Sequence, residues 1–230
     1  MEKTCCIVII EYRELLSGNA ELSLLQALKI FKNRDIRLVL PNNINTEYYD
    51  SLKSQYKFEY VKVNHDWLSS ISSYSKMCCK KEFYALFEKY DYILIYQTDC
   101  WVFEDRLDYF MDLGYDYYGA PWYQPHIGLI NVVGNGGLSL RKLSKMIEMT
   151  ETYKYDIINE NEDLWFCKTH GNEMNICPLD VACNFSLEVI TGYYKMLIKD
   201  HPMGLHGKIL MEYWNKPEKL KNDLLKSIYL

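Results

Sequence analysis

Positive charge is in short supply in this chain. Its 230 residues carry 26 Lys and Arg against 31 Asp and Glu, a net charge of -5, so it lacks the basic footprint of a nucleic-acid binder. Any phosphate-bearing ligand must then be held by local groups or by a metal. Long apolar runs are missing too. Cys5 to Ile10 is only six residues and gives way at once to Glu11-Tyr12-Arg13, well short of the ~20 residues of a membrane span. Neither a signal peptide nor a transmembrane helix is expected. The eight Cys include no CxxC pair and no zinc-finger spacing. Adjacent residues such as Cys5-Cys6 and Cys78-Cys79 do not readily bridge each other, so reduced, buried thiols in a cytoplasmic protein are expected. Six Pro, no Pro/Gly/Ser-rich linker, no repeat and no low-complexity tract argue for one domain over residues 1–230. The 21 Tyr read more simply as a compositional bias than as carbohydrate-stacking surfaces.

What is present is an alternation. Cys5 to Ile10 is continuously apolar and β-branched, as a strand buried on both faces is. Glu21 to Lys32 has helical spacing, Ile36 to Leu40 is a second strand, and Thr46 to Gln55 suggests a short helix. Phe58 to Val63 is a third strand, Asp66 to Lys89 reads as helical, and Tyr92 to Tyr96 is a fourth strand. This order predicts βαβ units and a mainly parallel, Rossmann-like central sheet flanked by helices. Residues 1–100 would be a nucleotide-binding half. Residues 101–230, with shorter strands (Tyr115 to Gly119, Val132 to Leu140) and more aromatic and acidic residues, would form a smaller mixed acceptor and catalytic half.

Four segments carry chemistry. Gln97-Thr98-Asp99 directly follows the fourth strand, where open α/β sheets bind ligands. A carboxylate there suits Mg²⁺ or Mn²⁺ on a diphosphate, although a turn or helix cap explains a lone Asp equally. Gly134-Asn135-Gly136-Gly137 places three glycines in four residues, which permits close backbone approach to a ligand or simply a tight turn. Glu162-Asp163 precedes an apolar run, as helix-capping acids do and as a general base for a sugar hydroxyl could. His201 and His206 lie near the C-terminus, and their spacing does not make a helical metal pair.

In their order, these pieces resemble GT-A glycosyltransferases. The closest likeness is to a bacterial group of glycosyltransferase-like domains catalogued as a domain of unknown function. It covers nearly the whole chain, through "ELSLLQALKIF", "RLVLP", "YILIYQTDCWVF", "YDYYGAPW", "VGNGGLSLRK", "NEDLWFC" and "GLHG". The resemblance implies a GT-A-like single domain and a metal-dependent transfer from a nucleotide sugar, UDP-sugar by default, to a glycan or lipid-linked saccharide of the bacterial surface. It places Asp99 and His206 on a Mn²⁺ or Mg²⁺ ion, with Gln97 and Thr98 completing the motif. Asn135, Gly136 and Gly137 would shape the donor-sugar pocket. Asp163 would be the base of an inverting displacement, with Glu162 beside it; the short match leaves a retaining reaction open. Ile9, Ile10 and Tyr12 would lie near the nucleotide base, and Lys76 near the diphosphate unless it is a solvated helix residue. Two rivals stay open: a nucleotidyltransferase making nucleotide sugars, and a non-catalytic sugar- or nucleotide-binding module. A C-terminal helix with Leu220, Leu224, Leu225 and Ile228 on one face could touch the inner face of the membrane.

Overall fold

A computed structural model describes residues 2–155 and 160–207, with the isolated positions Lys219 and Asn222. The apolar face of Leu220, Leu224, Leu225 and Ile228 falls outside these residues. No helix among the described residues is long and apolar enough to cross a membrane.

The elements run β1 (Cys5–Ile10), α1 (Gly18–Ile30), β2 (Asp35–Pro41), α2 (Glu47–Leu52), β3 (Glu59–Val63), α3 (Ile71–Cys78), α4 (Lys81–Ala85), β4 (Tyr92–Tyr96), β5 (Cys100–Val102), α5 (Leu107–Leu113), β6 (Tyr117–Gln124), β7 (Leu129–Lys142), α6 (Leu143–Thr152), α7 (Glu162–Leu164), α8 (Leu179–Phe185), β8 (Ser186–Leu187), α9 (Gly192–Leu197) and β9 (Gly204–His206). A six-stranded sheet has the order β3-β2-β1-β4-β7-β6. Strands β1 to β4 are mutually parallel, and β7 runs antiparallel to both β4 and β6. A second sheet of three short strands has the order β5-β9-β8. The fold is thus mixed α/β with a central, mostly parallel sheet between helices.

Because side chains alternate across a strand, β1 feeds two cores. Cys5, Ile7 and Ile9 pack with Leu24 and Leu28 of α1, Phe110 of α5 and Phe185 of α8. Cys6, Val8 and Ile10 pack with Met77 of α3, Phe83 of α4, Met146 of α6 and Trp165. Each such side chain contributes about 1.5–3 kcal/mol on burial. The Cys5-Cys6 doublet is therefore divided between the two faces, and all eight cysteines are free and buried.

The structure departs from the sequence reading in two places. The expected helix from Asp66 to Lys89 is three pieces: a 3₁₀ turn (His65–Leu68), α3 and α4. The serines cause the first break. Ser70 caps α3 through a reciprocal box with Ser73, and hydroxyls that bond the local backbone favour helix ends over helix interiors. The second half also does not hold only short strands. β7 spans 14 residues, and its Leu138 to Lys142 segment pairs with Tyr96 to Tyr92 of β4, so it completes the main sheet.

Candidate metal and nucleotide cleft

Past the carboxyl ends of β1 and β4 the sheet opens into a cleft of about 970 Å³. The ladder between β4 and β7 continues one residue beyond β4, where Gln97 N–H donates to the Gly137 carbonyl at 2.9 Å. That bond sets the glycine segment, which is part of β7 and not a loop, beside Gln97-Thr98-Asp99. The register of β5 against β9 pairs Cys100 with His206, and Gly207 N–H donates to the Asp99 carbonyl at 3.0 Å. Residues 107 positions apart in the chain are in this way placed side by side.

His206 Nε2 stands 3.3 Å from Asp99 Oδ1. The Asp99 side chain is 54% exposed and that of His206 only 11%. Among the described residues neither ring nitrogen of His206 has a well-aligned hydrogen-bond partner, which is unusual for buried polar atoms. Two cis ligands at about 2.1 Å from an octahedral ion stand about 3 Å apart, so an oxygen and a nitrogen at this spacing fit Mn²⁺ or Mg²⁺. Cys100 Sγ is the third atom of the group, but it donates to the Gly137 carbonyl at 3.2 Å and belongs to a buried core. Burial pushes the Asp99 carboxyl up, and His206 and Arg13 more than offset this, leaving it below its ordinary value. Burial pushes His206 down, and Asp99, Glu188 and Asp163 raise it above its ordinary value.

The glycines make room for the protein's own side chains. A Cβ on Gly137 would lie 2.0 Å from His206 Nε2, and one on Gly136 would lie 2.8 Å from Glu162 Oε1. Their smallness thus lets the imidazole and the carboxylate pair reach the cleft. Asn135, which precedes both glycines, is buried; its Nδ2 donates to Glu188 Oε2 and its Oδ1 accepts from the Gly137 N–H.

The two acids at the start of α7 differ. Glu162 is buried. Its Oε1 lies 3.2 Å from Arg141 Nη2, and its Oε2 accepts from Ser75 at 3.5 Å. Arg141 is itself fully buried and also donates to Tyr84 and Ser139. Asp163 makes no ion pair among the described residues. It accepts from the Gly136 N–H at 3.1 Å and the Leu164 N–H at 2.8 Å. Burial, then the charge of Glu162, push its carboxyl up to about 7.

Of the residues singled out in the sequence, Ile10, Tyr12, Gln97, Thr98, Asp99, Asn135, Gly136, Gly137, Glu162, Asp163 and His206 all line this one cleft. Two do not. Ile9 points into the core on the other side of β1, one residue out of phase with Ile10. Lys76 is exposed on the far side of α3, where it lines a separate groove with Lys80, Lys81 and Lys154. The lining also includes Glu11, Arg13, Ser70, Tyr74 and Ser75, which sequence reasoning passed over. Charged residues abutting a fully apolar strand were the available signal for the first two.

Residues 57–206 match the model of a family described as "Protein of unknown function (DUF5672)". The chain belongs to that family. The matched DUF5672 segment carries Asp99, Asp163 and His206 together. No curated protein matches the sequence. Among solved structures, mouse xyloside xylosyltransferase 1 is similar at a TM-score of 0.53 and 12% identity, over 88% of this chain and 97% of that one. The galactosyltransferase LgtC in complex with donor and acceptor sugar analogues is similar at 0.55 and 14%, over 96% and 95%. The glycosyltransferase GlyE of Streptococcus pneumoniae TIGR4 is similar at 0.57 and 13%, over 99% and 61%. The fold of this DUF5672 member is therefore that of the GT-A glycosyltransferases.

Proposed function

We propose that the protein is a divalent-cation-dependent glycosyltransferase, moving a sugar from a nucleotide-sugar donor, preferably a UDP-sugar, to a hydroxyl of a surface glycan or lipid-linked saccharide. One observation carries the reading: a half-exposed carboxylate and a buried imidazole that has no well-aligned hydrogen bond among the described residues converge at 3.3 Å in the cleft that also holds Asp163. Asp99 and His206 would hold Mn²⁺ or Mg²⁺, which when bound supplies positive charge for the departing nucleoside diphosphate. The exposed ring of Tyr12 and the side chain of Ile10 offer a surface for the base. The bond from the acceptor oxygen to the anomeric carbon forms as the bond to the diphosphate oxygen breaks. The electron pair leaves on the nucleoside diphosphate, and the acceptor proton passes to Asp163 Oδ. A carboxyl near neutrality suits that task, because a general base works best with its pKa near the working pH. Glu162, held by Arg141 and Ser75, fixes the start of α7.

Incubation with UDP-sugars and Mn²⁺ tests the reading. Release of UDP that stops in EDTA and in Asp99→Ala is expected. Pyrophosphate exchange with a sugar phosphate and a nucleoside triphosphate would instead identify a nucleotidyltransferase, and tight nucleotide binding without any turnover a binding module. NMR of the product's anomeric proton should show inversion; retention would remove Asp163 from the role of base.

A further inference from the structure

The cleft is lined by several carboxylates, and Arg13 is the one Lys or Arg among its described lining residues. Its placement is unusually well fixed. Glu11 is 1% exposed, and both of its oxygens are engaged. Oε1 accepts from the N–H groups of Tyr12 and Arg13 and from Arg13 Nε at 2.8 Å. Oε2 accepts from Arg13 Nη2 at 2.6 Å and from Thr98 Oγ1 at 2.9 Å. Arg13 Nη2 also donates to Thr98 Oγ1 at 2.6 Å, and the buried Tyr49 hydroxyl donates to the Arg13 carbonyl at 2.5 Å. A two-pronged carboxylate clamp of this kind fixes the plane of a guanidinium. It fixes it here beside the residue that precedes Asp99. The remaining nitrogen, Nη1, makes no hydrogen bond among the described residues, and the side chain is 39% exposed.

We infer that Arg13 is a phosphate-binding residue that gives the cleft an affinity for phosphorylated nucleosides independent of any divalent cation. This rests on the nucleotide reading above and deepens it. A buried carboxylate needs compensation for its desolvation, and Glu11 obtains it by holding Arg13 and Thr98 in place. The guanidinium is then preorganised, and little side-chain freedom is lost when an anion docks on its open edge. Tyr12, Arg13 and Asp99 line the same cleft, so a nucleoside seated against Tyr12 would bring its phosphate toward that edge. Lys76, on the outer side of α3, has no such access.

The test compares UDP, UMP and uridine by isothermal titration in EDTA and again with Mn²⁺. Arg13→Gln alone would strand the Glu11 charge, so the working variant is the double Glu11→Gln/Arg13→Gln, with its melting temperature measured beside the parent; Arg13→Lys keeps the charge and loses the fork. In EDTA the parent should prefer UDP over uridine. The double variant should lose about tenfold to a hundredfold of that preference while its uridine affinity stays put, and Arg13→Lys should fall between. A folded double variant that keeps the parent's UDP-to-uridine ratio overturns the inference and leaves Arg13 as a turn clamp, with the glycosyltransferase reading intact. A parent that binds no nucleotide, with or without Mn²⁺, overturns both.

Discussion

A methyl group added at Gly137 would stand 2.0 Å from His206 Nε2 and 2.4 and 2.5 Å from Cε1 and Cδ2. Ordinary contact begins at 3.4 Å, so the imidazole must retreat by 3.4 − 2.0 = 1.4 Å or the strand must yield. The strand is poorly placed to yield, because the Gly137 carbonyl accepts from Gln97 N–H and from Cys100 Sγ. A ring displaced by that much no longer holds Nε2 at its 3.3 Å spacing from Asp99 Oδ1, at which one ion could bond both atoms. Gly137→Ala replaces neither proposed ligand, yet it should weaken Mn²⁺ binding at least about tenfold, the lower end of what displaced ligand shells cost. Overpacking of this size costs about 1–3 kcal/mol, so the melting temperature of the apo protein should fall by a few degrees and the fold should survive. Calorimetric titration of Mn²⁺ in the presence of UDP, run beside His206→Ala, is the assay. The two variants should be alike. A folded Gly137→Ala protein with the parent's Mn²⁺ affinity would refute the claim that His206 reaches a cation across that glycine.

Asp163→Asn keeps the size of the side chain and removes the proton acceptor, so kcat should drop at least about a hundredfold with UDP and Mn²⁺ binding nearly unchanged; an active variant would return Asp163 to a helix cap. Glu162→Gln acts elsewhere. It leaves Arg141 buried without its charge partner, and thermal unfolding should reveal a loss of about 3–5 kcal/mol, whereas a stable variant would show the pair to be dispensable. In EDTA, stability should also respond to pH through Asp163, whose carboxyl sits near 7 when folded against an ordinary 3.8. The native state then binds the proton more tightly, so this group's stabilisation is present below about pH 4 and is lost as pH rises through about 7. The melting-temperature difference between parent and Asp163→Asn should change over that window, and parallel curves would contradict the raised value.

How much of this was legible in the residues depended on how far apart the interacting groups lie in the chain. β1 and β4 could be read with their full bounds because parallel strands buried on both faces are continuous apolar runs with no other plausible conformation. The sheet β5-β9-β8 left no such trace. Its strands are two or three residues long, too short to show a period, and it is their pairing that brings Asp99 and His206 together across the chain. His206 was accordingly identified by likeness to a family and not by spacing. The serines between Ser69 and Ser75 were hidden inside an apparently helical stretch. Their effect is local hydrogen bonding, and hydrophobic periodicity does not register it. Gly136 and Gly137 read as close approach to a ligand or as a tight turn; both line the cleft, and a Cβ on either would also meet Glu162, Asp163 or His206. Only the positions of those three side chains distinguish the two readings, and no local pattern contains them. The same holds for Arg13. On the page of sequence it is one charge in Glu11-Tyr12-Arg13-Glu14, with as many acids as would neutralise it twice. Folded, Glu11 turns inward and Arg13 outward over the cleft, so the net charge of the segment says nothing about the sign presented to a ligand. Burial hides the carboxylate and leaves the guanidinium it clamps part-exposed, and burial is decided by the sheet that ends one residue earlier.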